Sequence, residues 1–145
     1  MKKIIAVIIA CCLLGSMSMT PAAGQTGIGS DDLTIEEILL MAKVMQLENG
    51  NNSDLCVLLT GSVILNRRNS PEWPNTIQGV IYQKGQYADW TLRHLPTVKI
   101  TERVMSLALK LVTHGTLDEE IIFQSMHPEL GHVKYKVDTD YFATK

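Results

Sequence analysis

The stretch DLCVLLTGSVILNRR, residues 54–68, sets the strongest limit on what this chain can fold into. At helical period, Leu55, Val57, Leu58, Leu59, Val63, Ile64 and Leu65 leave no continuous polar stripe. A helix that is apolar on most sides belongs at the centre of a domain, with other elements packed around it. Gly61 and Ser62 weaken helix propensity in its middle, and close contact with another backbone is the expected compensation. Ser53 or Asn52 caps its start, while Arg67 and Arg68 suit the negative end of its dipole. Cys56 is expected to pack within it as a small buried hydrophobe.

The elements around this helix follow from their punctuation. Thr34-Ile35-Glu36-Glu37 is a capping box, and Leu33 and Ile38 flank it at the spacing of a hydrophobic staple. Ile38, Met41, Ala42 and Met45 then share a helical face. Asn49-Gly50 ends this first helix, with Gly50 expected in the left-handed conformation. Pro71 and Pro74 impose an extended loop around Trp73 and a solvated Glu72. Asn75 can cap a short helix over residues 76–82, and a loop through Trp90 and His94 comes next. A third long helix is expected over residues 98–113, with Val104, Leu107, Ala108 and Leu111 inward and Gly115 closing it. Residues 121–123 read as a strand, residues 127–131 as a turn, and residues 133–137 as a second, alternating strand. The class is α+β with helices dominant.

The N-terminal 24 residues read as a secretory signal: a basic start at Lys2 and Lys3, an apolar run from Ile4 to Leu14, and small residues before Gly24. An uncleaved anchor and a lipoprotein box at Ile8-Ile9-Ala10-Cys11 are the weaker alternatives. Residues 25–33 form a flexible lead-in, and residues 34–145 form one compact domain. Loss of Lys2 and Lys3 leaves 11 basic residues against 15 acidic ones, a net charge of about −4. No basic run survives, which argues against nucleic acid as a partner. Cys11 and Cys12 leave with the signal, so Cys56 stands alone and the domain is held by its core. The expected product is an exported monomer of the cell wall or periplasm, with no stable membrane association once the signal is removed.

Glu48 is the residue whose placement needs explaining. A carboxylate in the last turn of a helix faces the negative end of the dipole, which disfavours ionisation and raises the pKa above its usual value of about 4.3. Partial burial between the ends of the first two helices would raise it further. A carboxyl that stays protonated near neutral pH is what a glycosidic oxygen needs from a general acid. Position alone leaves open the plainer alternative, a solvated acid caught at a helix end.

The following residues narrow the choice. Glu48 and the segment SVILNRRNSPEWPNTIQGVIYQKGQY, residues 62–87, resemble the cell-wall hydrolase family of the spore-cortex-lytic enzymes. That pattern has a helix ending in a catalytic glutamate and a buried helix ending Val-[Val/Ile]-Leu-Asn-Arg. A Ser-Pro-x-[Phe/Tyr]-Pro-Asn-Thr loop and a [Tyr/Phe]-Gln-x-Gly-Gln-[Phe/Tyr] block complete it. Looser similarity continues through Gly115, Phe123-Gln124 and Tyr141-Phe142, so the resemblance spans about residues 36–142. It implies a small lysozyme-like domain acting on the glycan strands of peptidoglycan without a cofactor. Glu48 would protonate the bond between N-acetylmuramic acid and N-acetylglucosamine, then act as base on the muramyl C6 hydroxyl to give a 1,6-anhydro end. Gln83, Gln86, Tyr87 and, from a strand, Gln124 would contact the sugars. A hydrolytic muramidase is one alternative. A catalytically weak wall-binding or accessory protein is the other, because Gly50-Asn51-Asn52 stands where the family often has Arg-Gly-Glu.

Other clusters carry less. Asp54 and Asp89 are candidate second carboxylates, although Asp54 more simply stabilises the start of its helix. His94, His114, His127 and His132 lack compact metal-ligand spacing, and Asp138 with Asp140 does not make a calcium loop. No metal site is expected. Wall-clearing activity should therefore persist in chelator; a loss that zinc restores would show the histidines to be ligands.

Overall fold

The computed structural model describes residues 33–145, so the expected signal and all but the last residue of the lead-in lie outside the described residues. Five helices precede a small sheet: α1 (Ile35–Asn49), α2 (Asp54–Asn69), α3 (Ile77–Tyr82), α4 (Asp89–His94), α5 (Glu102–His114), β1 (Phe123–Ser125), β2 (His132–Val137) and β3 (Asp140–Thr144). The strands are antiparallel in the order β1-β3-β2. Among the described residues no helix is long and apolar enough to cross a membrane.

Helix α2 occupies the centre, as its apolar girth requires. Every residue from Cys56 to Arg67 is buried. One side, through Val57, Leu58, Ile64 and Leu65, joins α1, α3 and α5 in the main core. The opposite side, through Cys56, Leu59 and Val63, packs on Ile121 and Phe142 and so anchors the sheet. Burial of each such Leu or Val side chain contributes about 1.5–3 kcal/mol. A Cβ on Gly61 would overlap Leu111 Cδ1 and lie 2.9 Å from Met45 Sδ, so the glycine permits the close approach of α1 and α5. Ser62 Oγ accepts a bond from Leu117 N at 3.1 Å.

The caps follow the sequence closely at α1 and α2. The Thr34–Glu37 capping box forms, and Ser53 caps α2 by accepting from Cys56 N. Glu37 reaches further than its own helix, since its Oε1 also accepts from Ile77 N at 3.2 Å and steadies the start of α3. Thr76, rather than Asn75, caps α3. The third long helix begins at Glu102, four residues later than the pattern suggested, because Thr101 is its cap and is itself held by Gln46 Oε1 through both N (3.0 Å) and Oγ1 (2.9 Å). The loop through Trp90 contains α4, whose N-cap Ala88 supplies no side-chain bond and hence no sequence signal. The first strand starts at Phe123, because Ile121 is committed to the core under α2. The central strand β3 was not anticipated at all.

Gly50 departs from expectation. Its φ of −60° and ψ of −19° are right-handed, so no left-handed turn ends α1. The constraint is steric: a Cβ there would overlap Gln46 O and Nε2 and lie 2.7 Å from Gln46 Cδ. Gln46 is the residue that holds Thr101, which links this position to the start of α5. Gly50→Val should therefore lower stability by about 1–3 kcal/mol, the usual range for overpacking. Thermal melts check this, and an unchanged Tm would mean that Gln46 yields without loss.

Candidate active site

Glu48 sits in the last turn of α1, where no basic residue offsets the dipole. Its Oε1 accepts a 2.7 Å bond from Thr91 Oγ1 of α4. The carboxyl opens on a cleft of about 250 Å³ between the helical layer and the sheet. Glu48 and Asn49 form one part of its lining, Val63 and Arg67 of α2 another, and Gln86, Tyr87 and Ala88 a third; the sheet side supplies Gln124, Ser125, Met126, Thr139 and Asp140.

Burial raises the pKa of Glu48 above its ordinary 4.5, the Thr91 bond lowers it, and the nearby Asp140 charge raises it again; the net direction is up. The Tyr87 phenol is likewise pushed up, first by burial and then by Glu48, with Arg67 acting the other way. Burial lowers the Arg67 pKa. Its guanidinium stacks on Trp73 with 4.5 Å to the ring centroid, and its Nε donates to Ile122 O at 2.7 Å. Asn66 Nδ2 donates to Asp118 O and Ile121 O, both at 2.7 Å. The Asn66-Arg67 pair in the last turns of α2 thus fixes the backbone entering β1, and with it the far wall of the cleft.

Asn49 explains why an asparagine follows the acid. It is buried, and its Nδ2 donates to Thr60 Oγ1 at 2.8 Å and to Asp140 Oδ2 at 2.7 Å. Asn49 Oδ1 accepts from Asn52 Nδ2, and Thr60 Oγ1 donates to Cys56 O at 2.9 Å. Each buried polar group here has a partner, which makes the network stabilising rather than costly. Cys56 is buried beside it, its thiol pushed up to about 12 by burial and then by Asp140.

Of the sequence-predicted site residues, Glu48, Gln86, Tyr87 and Gln124 line one cleft, and Gln83 does not. Gln83 follows α3 in a turn closed by Gln86 N donating to its carbonyl at 3.2 Å. Its Oε1 is buried without a hydrogen-bond partner among the described residues. Tyr87 is half-buried against the helical core, a wall of the cleft rather than a free platform. Gln124 Nε2 is occupied, donating to Asp140 Oδ2 at 2.9 Å.

Asp54 and Asp89 lie outside this lining: Asp54 pairs with Arg103 at 2.5 Å on the surface, and Asp89 is exposed. Sequence reasoning missed Thr91, which fell in an apparent loop, and Asp140, which was weighed only as a calcium ligand. An acid just before the apolar pair Tyr141-Phe142 was the available signal. Among the described residues no three His, Cys, Asp or Glu side chains gather as a metal site.

The site is thus a partly buried carboxyl at a helix end, facing a sheet-walled cleft in an α+β domain. Residues 52–127, more than half of the chain, match the model of the cell wall hydrolase family, and the chain belongs to that family. The match begins four residues after Glu48. The fold is similar to the catalytic domain of the germination-specific lytic transglycosylase SleB from Bacillus anthracis, with a TM-score of 0.68, 17% identity, and coverage of 79% of this chain and 98% of that one. The catalytic domain of Bacillus cereus SleB gives 0.69 at 20% identity, covering 84% and 99%. The TM-scores show a shared fold. No curated protein matches the chain in sequence.

The raised Glu48 pKa has a thermodynamic consequence with a definite sign. Below pH 4.5 folded and unfolded chains both hold the proton, and the site carries no penalty. Above it the unfolded chain releases the proton while the folded chain retains it, so stability falls as pH rises to the folded pKa. Glu48→Gln should therefore raise Tm at pH 8 and leave it nearly unchanged at pH 4, as thermal melts at the two pH values would show.

Proposed function

We propose that this chain is an exported peptidoglycan lytic enzyme that cleaves the bond between N-acetylmuramic acid and N-acetylglucosamine, with Glu48 as general acid and then base. The observation that carries this reading is the Glu48 carboxyl, held by Thr91 in a polar cleft and biased toward its protonated form by burial. Membership of the cell wall hydrolase family supports the substrate class. In the first step the Glu48 proton passes to the glycosidic oxygen, the bond from that oxygen to muramyl C1 breaks, and positive charge develops on the sugar. In the second, the Glu48 carboxylate takes the proton of the muramyl C6 hydroxyl as its oxygen bonds to C1. The acid is regenerated, a 1,6-anhydro end is formed, and no water is consumed. One carboxyl suffices for this proton traffic, whereas ordinary glycosidases use two.

Gln86, which lines the cleft beside Tyr87 and Arg67, would hydrogen-bond the sugars in this reading. Activity should be best in mildly acidic to neutral conditions and fall at higher pH, where Glu48 loses the proton that cleavage needs. Mass analysis of fragments released from purified peptidoglycan tests the reaction: anhydro ends support it, reducing ends would make the enzyme a hydrolytic muramidase, and no release would leave a wall-binding role. Glu48→Gln should reduce release by about 10²–10⁴-fold, the usual contribution of a positioned acid–base group. Equal release by variant and wild type would remove Glu48 from the chemistry.

A further inference from the structure

Asp140 is a buried carboxylate in the same cleft as Glu48, and the reaction described above does not use it. It opens β3, directly after the Asp138-Thr139 turn. Its Oδ2 accepts from two amide groups, Asn49 Nδ2 at 2.7 Å and Gln124 Nε2 at 2.9 Å. Among the described residues no donor reaches Oδ1. Glu48 has a different setting: one hydroxyl donor, a helix end that opposes negative charge, and partial burial. When two carboxylates share a site, they do not ionise equally, and differing surroundings decide which one holds the proton. Here two fixed amide donors converge on one oxygen of Asp140, whereas Glu48 receives a single hydroxyl.

We propose that Asp140 is the electrostatic positioning residue of this cleft, a fixed anion that keeps the proton on Glu48 between turnovers and draws it back after bond cleavage. The proposal rests on the acid–base reading of Glu48 given above. Once Glu48 has protonated the glycosidic oxygen, two carboxylates line one cleft, and their repulsion makes Glu48 a stronger base toward the C6 hydroxyl. Gln124, which the sequence suggested as a sugar contact, becomes the strand-borne holder of this anion, and Asn49 ties it to the residue next to Glu48.

The neighbouring groups are consistent with one dominant like charge. The other titratable side chains lining the cleft are Arg67 from α2 and Tyr87 from the loop before α4. The phenol stays neutral through the working range, and the Arg67 cation stacks on Trp73 and donates its Nε to Ile122 O. The α4 residue on Glu48 is the uncharged Thr91. On the far side of Asp140, Cys56 of α2 keeps its proton, and Asp138 binds Ser53 N and Oγ at 2.9 and 2.7 Å.

The test is Asp140→Asn in the full chain, with Asp140→Ser as a smaller substitute should the first fail to fold. The Glu48 carboxyl is titrated by ¹³C NMR without substrate, and kcat and KM on purified peptidoglycan are measured against pH. The expected result is a Glu48 midpoint shifted to lower pH, with the alkaline limb of kcat shifted by the same amount and KM held. A purely structural role would lower activity evenly across pH. An unmoved midpoint in a folded variant overturns the proposal, as does a midpoint that moves without the kcat limb. A wild-type protein that releases no glycan fragments overturns the acid–base reading itself and this role with it, and the substrate-free titration tells that failure apart from an absence of coupling.

Discussion

Burial of α2 on all sides is the constraint from which the rest of the structure follows. A single helix cannot cover a cylinder of Val, Leu and Ile, so α1, α3 and α5 enclose one side and the sheet encloses the other. The two ends of α2 are then used for construction. At its start, Ser53 donates N and Oγ to Asp138 of the β2–β3 turn, and Cys56 Sγ donates to Val137 O at 3.8 Å. At its end, Asn66 and Arg67 hold the backbone that enters β1. The cleft exists because the helix is flanked by helices on one face and strands on the other.

Most of the helical half was legible in the sequence, because its signals are local. The Thr34–Glu37 box, the Ser53 cap and the period of α1 and α5 each act within a few residues. The sheet half was less legible because its logic is distant. Ile121 leaves the strand pattern to fill a gap beneath α2, and β3 becomes central only through pairing with both β1 and β2. Within the site, the conflict of Glu48 with the helix dipole drew attention to it, and the family resemblance of the residues that follow singled it out. Asp140 could not be found in this way, since what matters about it is the pair of amides that converge on its Oδ2, one from α1 and one from β1. Gln83 lies outside the lining of the cleft, and its backbone carbonyl closes the turn after α3, a placement that a glutamine in a glycine-containing loop does not disclose.

The Asn-rich turn after Glu48 also reads differently once folded. It stood out as a departure from the Arg-Gly-Glu of the resembling family. Asn49 and Asn52 instead form a neutral relay that satisfies Thr60 and Asp140 together. Arg103 of α5 clasps the same turn, donating to Gly50 O at 2.6 Å and Asn52 O at 3.2 Å while pairing with Asp54. The turn is thus fixed from inside by amides and from outside by a guanidinium, and the direction of Glu48 is set by both.

The Asn49–Asp140 bond joins residues 91 apart in the chain. Helices α1 and α2 are neighbours in sequence and can meet early, whereas closing so long a loop costs entropy that only a nearly complete tertiary structure offsets. The contact beside Glu48 thus depends on the whole tertiary structure rather than on its neighbours in the chain. An incompletely folded molecule would carry the glutamate without its cleft, since Gln124 and Asp140 reach it only from the sheet at the far end of the chain.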